Sequence, residues 1–133
     1  MNTQLQSTQV LIVDDSMIVR KAIRKAVTSA GVAEECIREA PNGREAIRAL
    51  DEAPVDVVFL DINMPVMDGI EFMETMDREG RADDQFVIVV STEVNAKRLH
   101  LLASLGAKGR LKKPFEPERL QALIVEAVEA KSN

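Results

Sequence analysis

Six polar side chains stand at the ends of short apolar runs of the sequence, and their types suit chemistry on a phosphoryl group. They are three carboxylates, two hydroxyls and one ammonium: Asp14, Asp15, Asp61, Ser91, Thr92 and Lys113. Three neighbouring carboxylates raise one another's pKa unless a cation lies between them. Oxygen ligands without His or Cys favour a hard ion such as Mg²⁺, which keeps several waters that phosphate oxygens can replace. The cluster therefore predicts a magnesium site that a phosphoryl group completes.

One of these carboxylates is a candidate nucleophile. A carboxylate beside Mg²⁺ can attack phosphorus and form an acyl phosphate. Asp61 is the candidate because it stands alone after its apolar run, whereas Asp14 and Asp15 form a pair suited to holding the metal. Taken alone, that pair would also suit a helix N-terminus, which favours negative charge. Lys113 would pair with one phosphoryl oxygen and the Ser91 hydroxyl with another, which stabilises charge in the transition state.

Short β-branched runs alternate with longer segments of helical period, a pattern typical of β-α units around a parallel sheet. Five strands are predicted, at Gln9–Asp14, Cys36–Ala40, Val55–Asp61, Gln85–Ser91 and Lys108–Lys112. The second and fifth carry more charge and are the predicted edges. Helices are predicted at Ser16–Ala30, Gly43–Asp51, Gly69–Arg78, Asn95–Leu105 and Glu116–Ala130. Right-handed crossovers place helices on both faces of such a sheet, and ligands bind at the carboxyl ends of its strands, where the six side chains would meet.

Length and composition limit the class of protein. A chain of 133 residues suits one compact domain. The net charge of −5, with 17 basic residues spread along the chain, disfavours nucleic acid as a partner. The single cysteine excludes an intrachain disulfide, and no apolar run approaches the roughly 20 residues that span a bilayer. We expect a cytoplasmic protein without a membrane partner.

Four motifs of the sequence resemble those of the receiver domain of bacterial two-component response regulators. They occur in the order "LIVDDS", "FLDINMPVMDG", "VVSTE" and "KKPF", and the resemblance covers about residues 10 to 128. It implies a flavodoxin-like (βα)5 fold with five parallel strands in the order 2-1-3-4-5. On this basis we expect residues 1–9 to be a polar N-terminal tail and residues 10–130 a receiver domain, with no output domain.

The resemblance also implies roles for individual residues. Asp61 would accept a phosphoryl group from a histidine of a histidine kinase or histidine phosphotransfer protein. Asp15 and Asp61 would bind Mg²⁺ directly with the backbone carbonyl of Asn63, and Asp14 would act largely through water. The protein would catalyse only its own phosphotransfer and autodephosphorylation. It would signal through a phosphorylation-dependent contact with an unidentified protein, or through a phosphorelay.

Structural residues follow from the same resemblance. A cis peptide bond is implied between Lys113 and Pro114, and such bonds are tolerated almost only before proline. Pro65 and Gly69 belong to the segment that shapes the turn into the third helix.

Three residues near the site are predicted to modulate it. The family commonly has an aromatic residue three positions before the lysine, where this chain has Arg110, and the chain contains no Tyr. We hypothesise that Arg110 responds to phosphorylation by an electrostatic or rotamer change; the alternative is an exposed arginine on an edge strand. Thr92 stands where a small residue is common, so its side chain would obstruct the water that hydrolyses the acyl phosphate. Asn63 and Glu93 match the chemotaxis-like subset of the family.

Four basic residues lie on the first predicted helix, at Arg20, Lys21, Arg24 and Lys25. Such a cluster is most often a solvated helix face. The resemblance implies a second interpretation, in which this helix docks the helical domain that donates the phosphoryl group.

Two other functions would use similar residues. A Mg²⁺-dependent phosphatase or phosphotransferase acting on a small molecule needs a general acid two residues after Asp61, where this chain has Asn63, and usually a cap domain. A flavodoxin-like nucleotide binder needs a donor-rich phosphate loop after the first strand, but "DDS" supplies carboxylates there. Neither common glycine-rich phosphate loop occurs in the sequence.

Overall fold

A five-stranded parallel sheet forms the centre of the structure, which is a computed structural model that describes residues 3–132. Its strands are β1 (Val10–Val13), β2 (Ile37–Ala40), β3 (Val57–Leu60), β4 (Phe86–Ser91) and β5 (Gly109–Lys112). They lie in the order β2-β1-β3-β4-β5, which confirms the predicted topology and the predicted edges. Every residue of β1 and β3 is buried, as expected for strands covered on both faces.

Six helices surround the sheet within the described residues. They are α1 (Thr3–Gln6), α2 (Met17–Ala30), α3 (Gly43–Glu52), α4 (Gly69–Arg78), α5 (Ala96–Ser104) and α6 (Pro117–Ser132), and a short 3-10 helix spans Glu34–Cys36. The side chains of four residues cap helices at the carboxyl edge of the sheet by accepting a bond from a backbone N–H: Ser16, Asn42, Asp68 and Asn95. Three of these caps, at Ser16, Asp68 and Asn95, begin α2, α4 and α5 directly after the loops that follow Asp14, Asp61 and Ser91.

Two hydrophobic clusters fill the space on opposite faces of the sheet. Residues of α1, α2 and α6 pack on one face, and residues of α3, α4 and α5 pack on the other. Successive residues of β3 alternate between them, because Phe59 belongs to the first cluster and Leu60 to the second. Helices on both faces were predicted, and this is confirmed.

The strand ends differ slightly from the prediction. The predicted strands include Asp14 and Asp61, whereas β1 ends at Val13 and β3 at Leu60. The two aspartates still donate backbone hydrogen bonds to neighbouring strands, from Asp14 N to Ala40 O at 3.1 Å and from Asp61 N to Val13 O at 2.9 Å. Each aspartate is thus anchored to the sheet at the point where the chain turns away from it.

Part of the segment predicted as a polar tail, within residues 3–9, packs against the rest of the structure. Within this segment Leu5 is 7% exposed and belongs to the cluster beneath α2 and α6. The carbonyl of Gln6 accepts a hydrogen bond from Ala33 N at 3.0 Å, which joins α1 to the segment after α2. A single leucine among polar residues produces no periodic signal, so the packing of Leu5 could not be predicted.

Between residues 3 and 132, none of the helices has both the length and the apolar character that a membrane-spanning segment requires.

Candidate functional site

Three carboxylates meet at the carboxyl edge of the sheet. Asp14 directly follows β1 and Asp61 directly follows β3, and these neighbouring strands pair with Val13 opposite Leu60. Asp14, Asp15 and Asp61 each offer one oxygen within a group whose members lie within 4.8 Å of one another. Asp14 and Asp61 are buried, at 1% and 6% exposure, whereas Asp15 is exposed. The predicted convergence of the three aspartates is therefore seen.

Lys113 reaches the same place from the far edge of the sheet. It follows β5, and its Nζ lies 2.8 Å from Asp14 Oδ2 and 3.3 Å from Asp61 Oδ1. Its backbone N–H donates to the carbonyl of Ser91 at 3.0 Å, and its peptide bond to Pro114 is cis, as expected. One ammonium is thus shared between two buried carboxylates.

The electrostatics of this cluster favour a bound cation. Burial raises the pKa of Asp61, and the charge of Asp14 raises it further, while the contacts with Lys113 and with the Ile62 N–H offset only part of this effect. Burial alone would lower the pKa of Lys113, but its hydrogen bonds and charge interactions with Asp14 and Asp61 outweigh burial and raise it. Two buried carboxylates with one ammonium keep a negative excess.

The donor set itself fits Mg²⁺. The three clustered ligand atoms are carboxylate oxygens, the type that hard divalent cations prefer. Asn63, the predicted fourth ligand, is exposed in the loop that follows Asp61. The role of its backbone carbonyl stays a prediction.

The hydroxyl predicted to contact the phosphoryl group is Ser91, the last residue of β4. It is 1% exposed, and its Oγ accepts a hydrogen bond from Glu93 N at 3.2 Å. Thr92, the next residue, is exposed to solvent. The Glu93 carboxylate lies 3.0 Å from Arg98 Nη1 and accepts from Asn95 N at 3.1 Å, so the loop after Ser91 is held by polar contacts.

Arg110 contacts this same loop from β5. Its side chain is exposed, in agreement with the edge-strand alternative, but its Nη2 also donates a hydrogen bond to the backbone carbonyl of Glu93. The exposed arginine is therefore tied to the segment two residues beyond Ser91. Sequence reasoning singled out Arg110 and Glu93 separately and did not predict that they touch.

The loop between β3 and α4 passes close to the backbone of Asp61. A Cβ added to Gly69 would lie 2.4 Å from the Asp61 carbonyl oxygen, so only glycine fits there. Gly69 N donates to Ile62 O at 2.8 Å, and Met67 N donates to Pro65 O at 2.7 Å. These contacts fold Pro65 and Gly69 into the turn as predicted and hold it against the end of β3.

The basic residues of α2 divide into two kinds. Lys21 and Lys25 are exposed, as expected of a solvated face. Arg20 and Arg24 instead bind Glu39 of β2, at 2.9 Å and 2.7 Å. Sequence reasoning did not identify Glu39, because a single acidic residue in an edge strand carries no signal of its partner.

An apolar groove of about 570 Å³ lies between α2 and the start of α6, and Lys113 is part of its lining. Its other lining residues include Ile18, Ala22, Phe115 and Pro117. Ile18 is 82% exposed, although it is a large hydrophobic residue. The candidate site therefore has an accessible apolar surface directly beside it.

The family match, the similar sequences and the similar solved structures all point to one family of proteins. Residues 10–125 match the family described as the response regulator receiver domain. The chain is 36% identical over 121 residues to the chemotaxis protein CheY of Thermotoga maritima, covering 90% of this chain and 93% of that protein. It is 34% identical over 123 residues to CheY of Listeria monocytogenes, covering 91% and 95%. The solved structure of the chemotaxis response regulator CheY4 of Vibrio cholerae has a TM-score of 0.79 and 32% identity, covering 90% of this chain and 98% of that one.

Proposed function

Because the chain belongs to the family of response regulator receiver domains, we propose that Asp61 accepts a phosphoryl group from a phosphorylated histidine of a partner protein. The partner is a histidine kinase or a histidine phosphotransfer protein. The observation that supports this most strongly is the 3.3 Å approach of Lys113 Nζ to Asp61 Oδ1 beside two further carboxylates. Such a site provides a nucleophile and a cation for the incoming phosphoryl oxygens.

The transfer exchanges one bond to phosphorus for another. A carboxylate oxygen of Asp61 attacks phosphorus and forms a P–O bond, while the P–N bond to the donor imidazole breaks and the imidazole keeps that electron pair and takes a proton. Lys113 and the Ser91 hydroxyl bind two of the phosphoryl oxygens, where charge accumulates in the transition state. Lys113 Nζ lies 3.3 Å from Asp61 Oδ1, and Ser91 ends β4, the strand next to β3, which supports this assignment.

Mg²⁺ would be held directly by the carboxylates of Asp15 and Asp61 and by the Asn63 carbonyl, with Asp14 acting largely through water. When bound, it supplies positive charge that offsets these carboxylates and the phosphoryl oxygens. The negative excess of the cluster, expressed in the raised pKa of Asp61, supports this assignment.

Loss of the phosphoryl group is controlled by residues beside Ser91. Water hydrolyses the acyl phosphate, and the exposed Thr92 side chain restricts its approach. Glu93 helps by holding the loop that carries Thr92 through its contacts with Asn95 and Arg98.

The phosphodonor docks at the groove between α2 and α6. The groove is apolar and open to solvent, with Ile18 exposed in its lining, and Lys113, next to the acceptor carboxylate, lines it too. The exposed ammonium groups of Lys21 and Lys25 add charge to the α2 side of this contact. A helical donor domain lying in the groove would bring its histidine to Asp61.

The output is a change in which proteins the chain binds. The acyl phosphate shifts the population between two conformations of the loop after Ser91, and Arg110 responds because it is bonded to that loop. The target is a protein surface that recognises the phosphorylated conformation, or the next carrier of a phosphorelay.

Phosphotransfer profiling tests the proposal. Purified histidine kinases of the source organism, each labelled with phosphate, are mixed with the chain and Mg²⁺, and with Asp61→Asn as the control. We expect rapid labelling of the wild type by at least one kinase, no labelling of Asp61→Asn, and loss of labelling when EDTA removes Mg²⁺. Failure of every kinase to label the wild type would contradict the proposal, and turnover of phosphate esters would favour a small-molecule phosphatase.

A further inference from the structure

Arg20 connects an aspartate of the candidate metal site to a carboxylate on the neighbouring strand. Its Nη1 donates a hydrogen bond of 2.7 Å to the backbone carbonyl of Asp14, and its Nε donates a hydrogen bond of 2.9 Å to Glu39 Oε1. The Arg20 and Glu39 side chains are only 15% and 25% exposed. These three residues come from α2, the end of β1 and β2.

The fold accounts for this arrangement. The chain leaves β1 at Asp14 and enters α2 at Met17, and helical side chains lean back toward the N-terminus of their helix. Arg20 therefore points to the turn that precedes its own helix. The Asp14 carbonyl lies beyond the end of β1 on a residue that is 1% exposed, so it needs a donor from elsewhere, and Arg20 provides one.

All the polar groups of Asp14 have partners. Its N–H donates to Ala40 O, its Oδ1 accepts from Ser16 N, and its Oδ2 accepts from Lys113 Nζ. The bond from Arg20 to the carbonyl completes the set. The first two partners belong to the backbone, and Lys113 is also shared with Asp61, so Arg20 is the side chain that holds the Asp14 backbone itself.

Glu39 in turn fixes the direction of Arg20. Its two oxygens accept from Arg20 Nε and, at 2.7 Å, from Arg24 Nε. Burial alone would raise the pKa of Glu39, but the hydrogen bonds and charges of Arg24 and Arg20 outweigh burial and lower it. Arg24 uses its remaining donors on Ile37 O and Glu34, and no contact of Arg24 with Asp14 is seen in the described part of the chain.

We propose that Arg20 is a positioning residue for the cation site, and that Glu39 orients it. By holding the carbonyl of Asp14, Arg20 keeps the Asp14–Asp15 turn in the geometry that Mg²⁺ binding requires. Mg²⁺ demands nearly ideal octahedral coordination, and groups that orient its ligands change metal affinity by roughly 10- to 100-fold. This inference rests on the proposed function, because it assumes that the three aspartates hold Mg²⁺.

Positioning and simple electrostatics predict opposite results for loss of Arg20. If only charge mattered, removing a guanidinium near three carboxylates would strengthen the attraction for a cation. If positioning dominates, the freed turn binds Mg²⁺ more weakly, although the site has become more negative. The sign of the change in affinity therefore separates the two explanations.

The test compares Arg20→Gln with Arg24→Gln in the full chain. Both variants remove one guanidinium and one bond to Glu39, but only the first removes the bond to Asp14. The Mg²⁺ dissociation constant is measured by isothermal titration calorimetry, with circular dichroism to confirm folding. We expect Mg²⁺ binding about tenfold weaker for Arg20→Gln and within about twofold of wild type for Arg24→Gln.

Two further variants sharpen the result. Arg20→Lys keeps the charge, but one ammonium cannot reproduce the guanidinium fork that reaches both the Asp14 carbonyl and Glu39, so we expect it to remain several-fold weaker than wild type. Glu39→Gln keeps Arg20 but holds it less firmly in its orientation, so we expect Mg²⁺ binding about threefold weaker than in wild type. If Arg20→Gln does not fold, Glu39→Gln provides the test instead. Unchanged or tighter binding by Arg20→Gln, or by Glu39→Gln in that case, would overturn the inference. An equally large loss in Arg24→Gln would do the same.

The wild type separates this inference from the proposed function. If wild type binds no Mg²⁺, the proposed function fails and the inference fails with it. If wild type binds Mg²⁺ and Arg20→Gln binds it equally well, only the positioning role is rejected.

Discussion

Lys113 Nζ lies 2.8 Å from Asp14 Oδ2, although the two residues are 99 positions apart in the sequence. This contact is shorter than the 3.3 Å contact of the same ammonium with Asp61, so Lys113 lies closer to Asp14 of the candidate metal site than to the candidate nucleophile. The contact joins the residue that follows β1 to the residue that follows β5, across the carboxyl ends of β3 and β4. We therefore expect the ammonium to stabilise the fold as well as to bind the phosphoryl group.

Replacing Lys113 should destabilise the protein and make it depend on Mg²⁺. In Lys113→Met, Asp14 and Asp61 remain buried without the ammonium, and removal of one partner of a buried ion pair costs about 3 kcal/mol. Urea denaturation at pH 7 should show this loss without Mg²⁺ and a clearly smaller loss with it, because the cation binds only the folded state and should bind the variant more tightly once the competing ammonium is gone. Lys112→Met, at an exposed neighbouring position, should change the free energy of unfolding by less than about 0.5 kcal/mol. Equal effects of the two variants would contradict this account.

Asp61→Asn should stabilise the Mg²⁺-free protein at neutral pH. The pKa of Asp61 is raised above its ordinary value of 3.8, chiefly by burial and then by Asp14, so the folded state binds this proton more tightly than the unfolded state does. The cost of ionising Asp61 is therefore absent below pH 3.8, grows as the pH rises through the raised folded pKa, and is complete above it. Lys113 also lies 2.8 Å from Asp14, so its ammonium still has a carboxylate partner when Asp61 is replaced.

We expect Asp61→Asn to gain about 1 kcal/mol at pH 7, and the gain to shrink toward zero as the pH falls to the ordinary range of a carboxyl group. Urea denaturation of both proteins from pH 3.5 to pH 7.5 measures the difference. A difference that does not vary with pH would show that the ionisation of Asp61 is not its cause.

Much of the site could be predicted because its residues carry local signals. An apolar strand that ends in a carboxylate marks Asp14 and Asp61, and a parallel sheet brings such strand ends to one edge. The helices on both faces follow from the alternation of strand and helix patterns, whereas the strand order was implied by the family resemblance. Only the carboxyl ends of β1 and β3 were placed one residue too far, since a backbone hydrogen bond continues from Asp61 N to Val13 O after the regular strand has ended.

The contacts that the Arg20 and Arg110 side chains make with distant segments of the chain could not be predicted. Arg20 and Glu39 are 19 residues apart, and Arg110 and Glu93 are 17 apart, and neither spacing is a period of helix or strand. Each pair forms only because the sheet order places β2 beside β1 and β5 beside β4. Predicting such contacts requires knowing which segments are neighbours in the folded structure, and the periodicity of the sequence does not give this information.

Val66 should be a site where stability can be gained. Its φ is +70°, a left-handed conformation that β-branched residues rarely adopt, and among the described residues it is the one non-glycine with positive φ. It is also 67% exposed, so little packing depends on it. Asn tolerates this conformation, and Val66→Asn should raise the free energy of unfolding by about 1 kcal/mol.

The control for this change is Val94→Asn, in an exposed loop position with 74% exposure and no positive φ. It should change the free energy of unfolding by less than about 0.5 kcal/mol in the same thermal or urea measurement. A gain at Val94 as large as that at Val66 would point to surface polarity rather than relief of backbone strain.

Thr92 should slow the loss of the phosphoryl group from Asp61. Its exposed side chain adjoins Ser91, and by our proposal it restricts the hydrolytic water. Thr92→Ala should therefore dephosphorylate about threefold faster than wild type, a barrier lower by about 0.65 kcal/mol. Thr92→Val has nearly the same bulk without the hydroxyl and should decay like wild type. Decay of radiolabelled protein in Mg²⁺ measures all three rates, and equal rates for wild type and Thr92→Ala would reject the idea.

Arg110 should couple phosphorylation to the loop after Ser91. Its guanidinium is bonded to the carbonyl of Glu93, so Arg110→Ala frees that loop from β5. Loss of one charge-assisted hydrogen bond, worth about 1.5 kcal/mol, should raise amide hydrogen exchange in residues 93–95 by about tenfold before phosphorylation.

The same variant should then show a smaller change in exchange on phosphorylation, because the loop is already released. Phosphorylation-dependent binding of the target protein, once a partner has been captured, should weaken in parallel. Arg119→Ala, an exposed arginine on α6, serves as the control and should behave like wild type in both measurements. If Arg110→Ala retains the full phosphorylation-dependent change in exchange and in binding, Arg110 is an exposed edge residue and the signal passes through other contacts of the Ser91 loop.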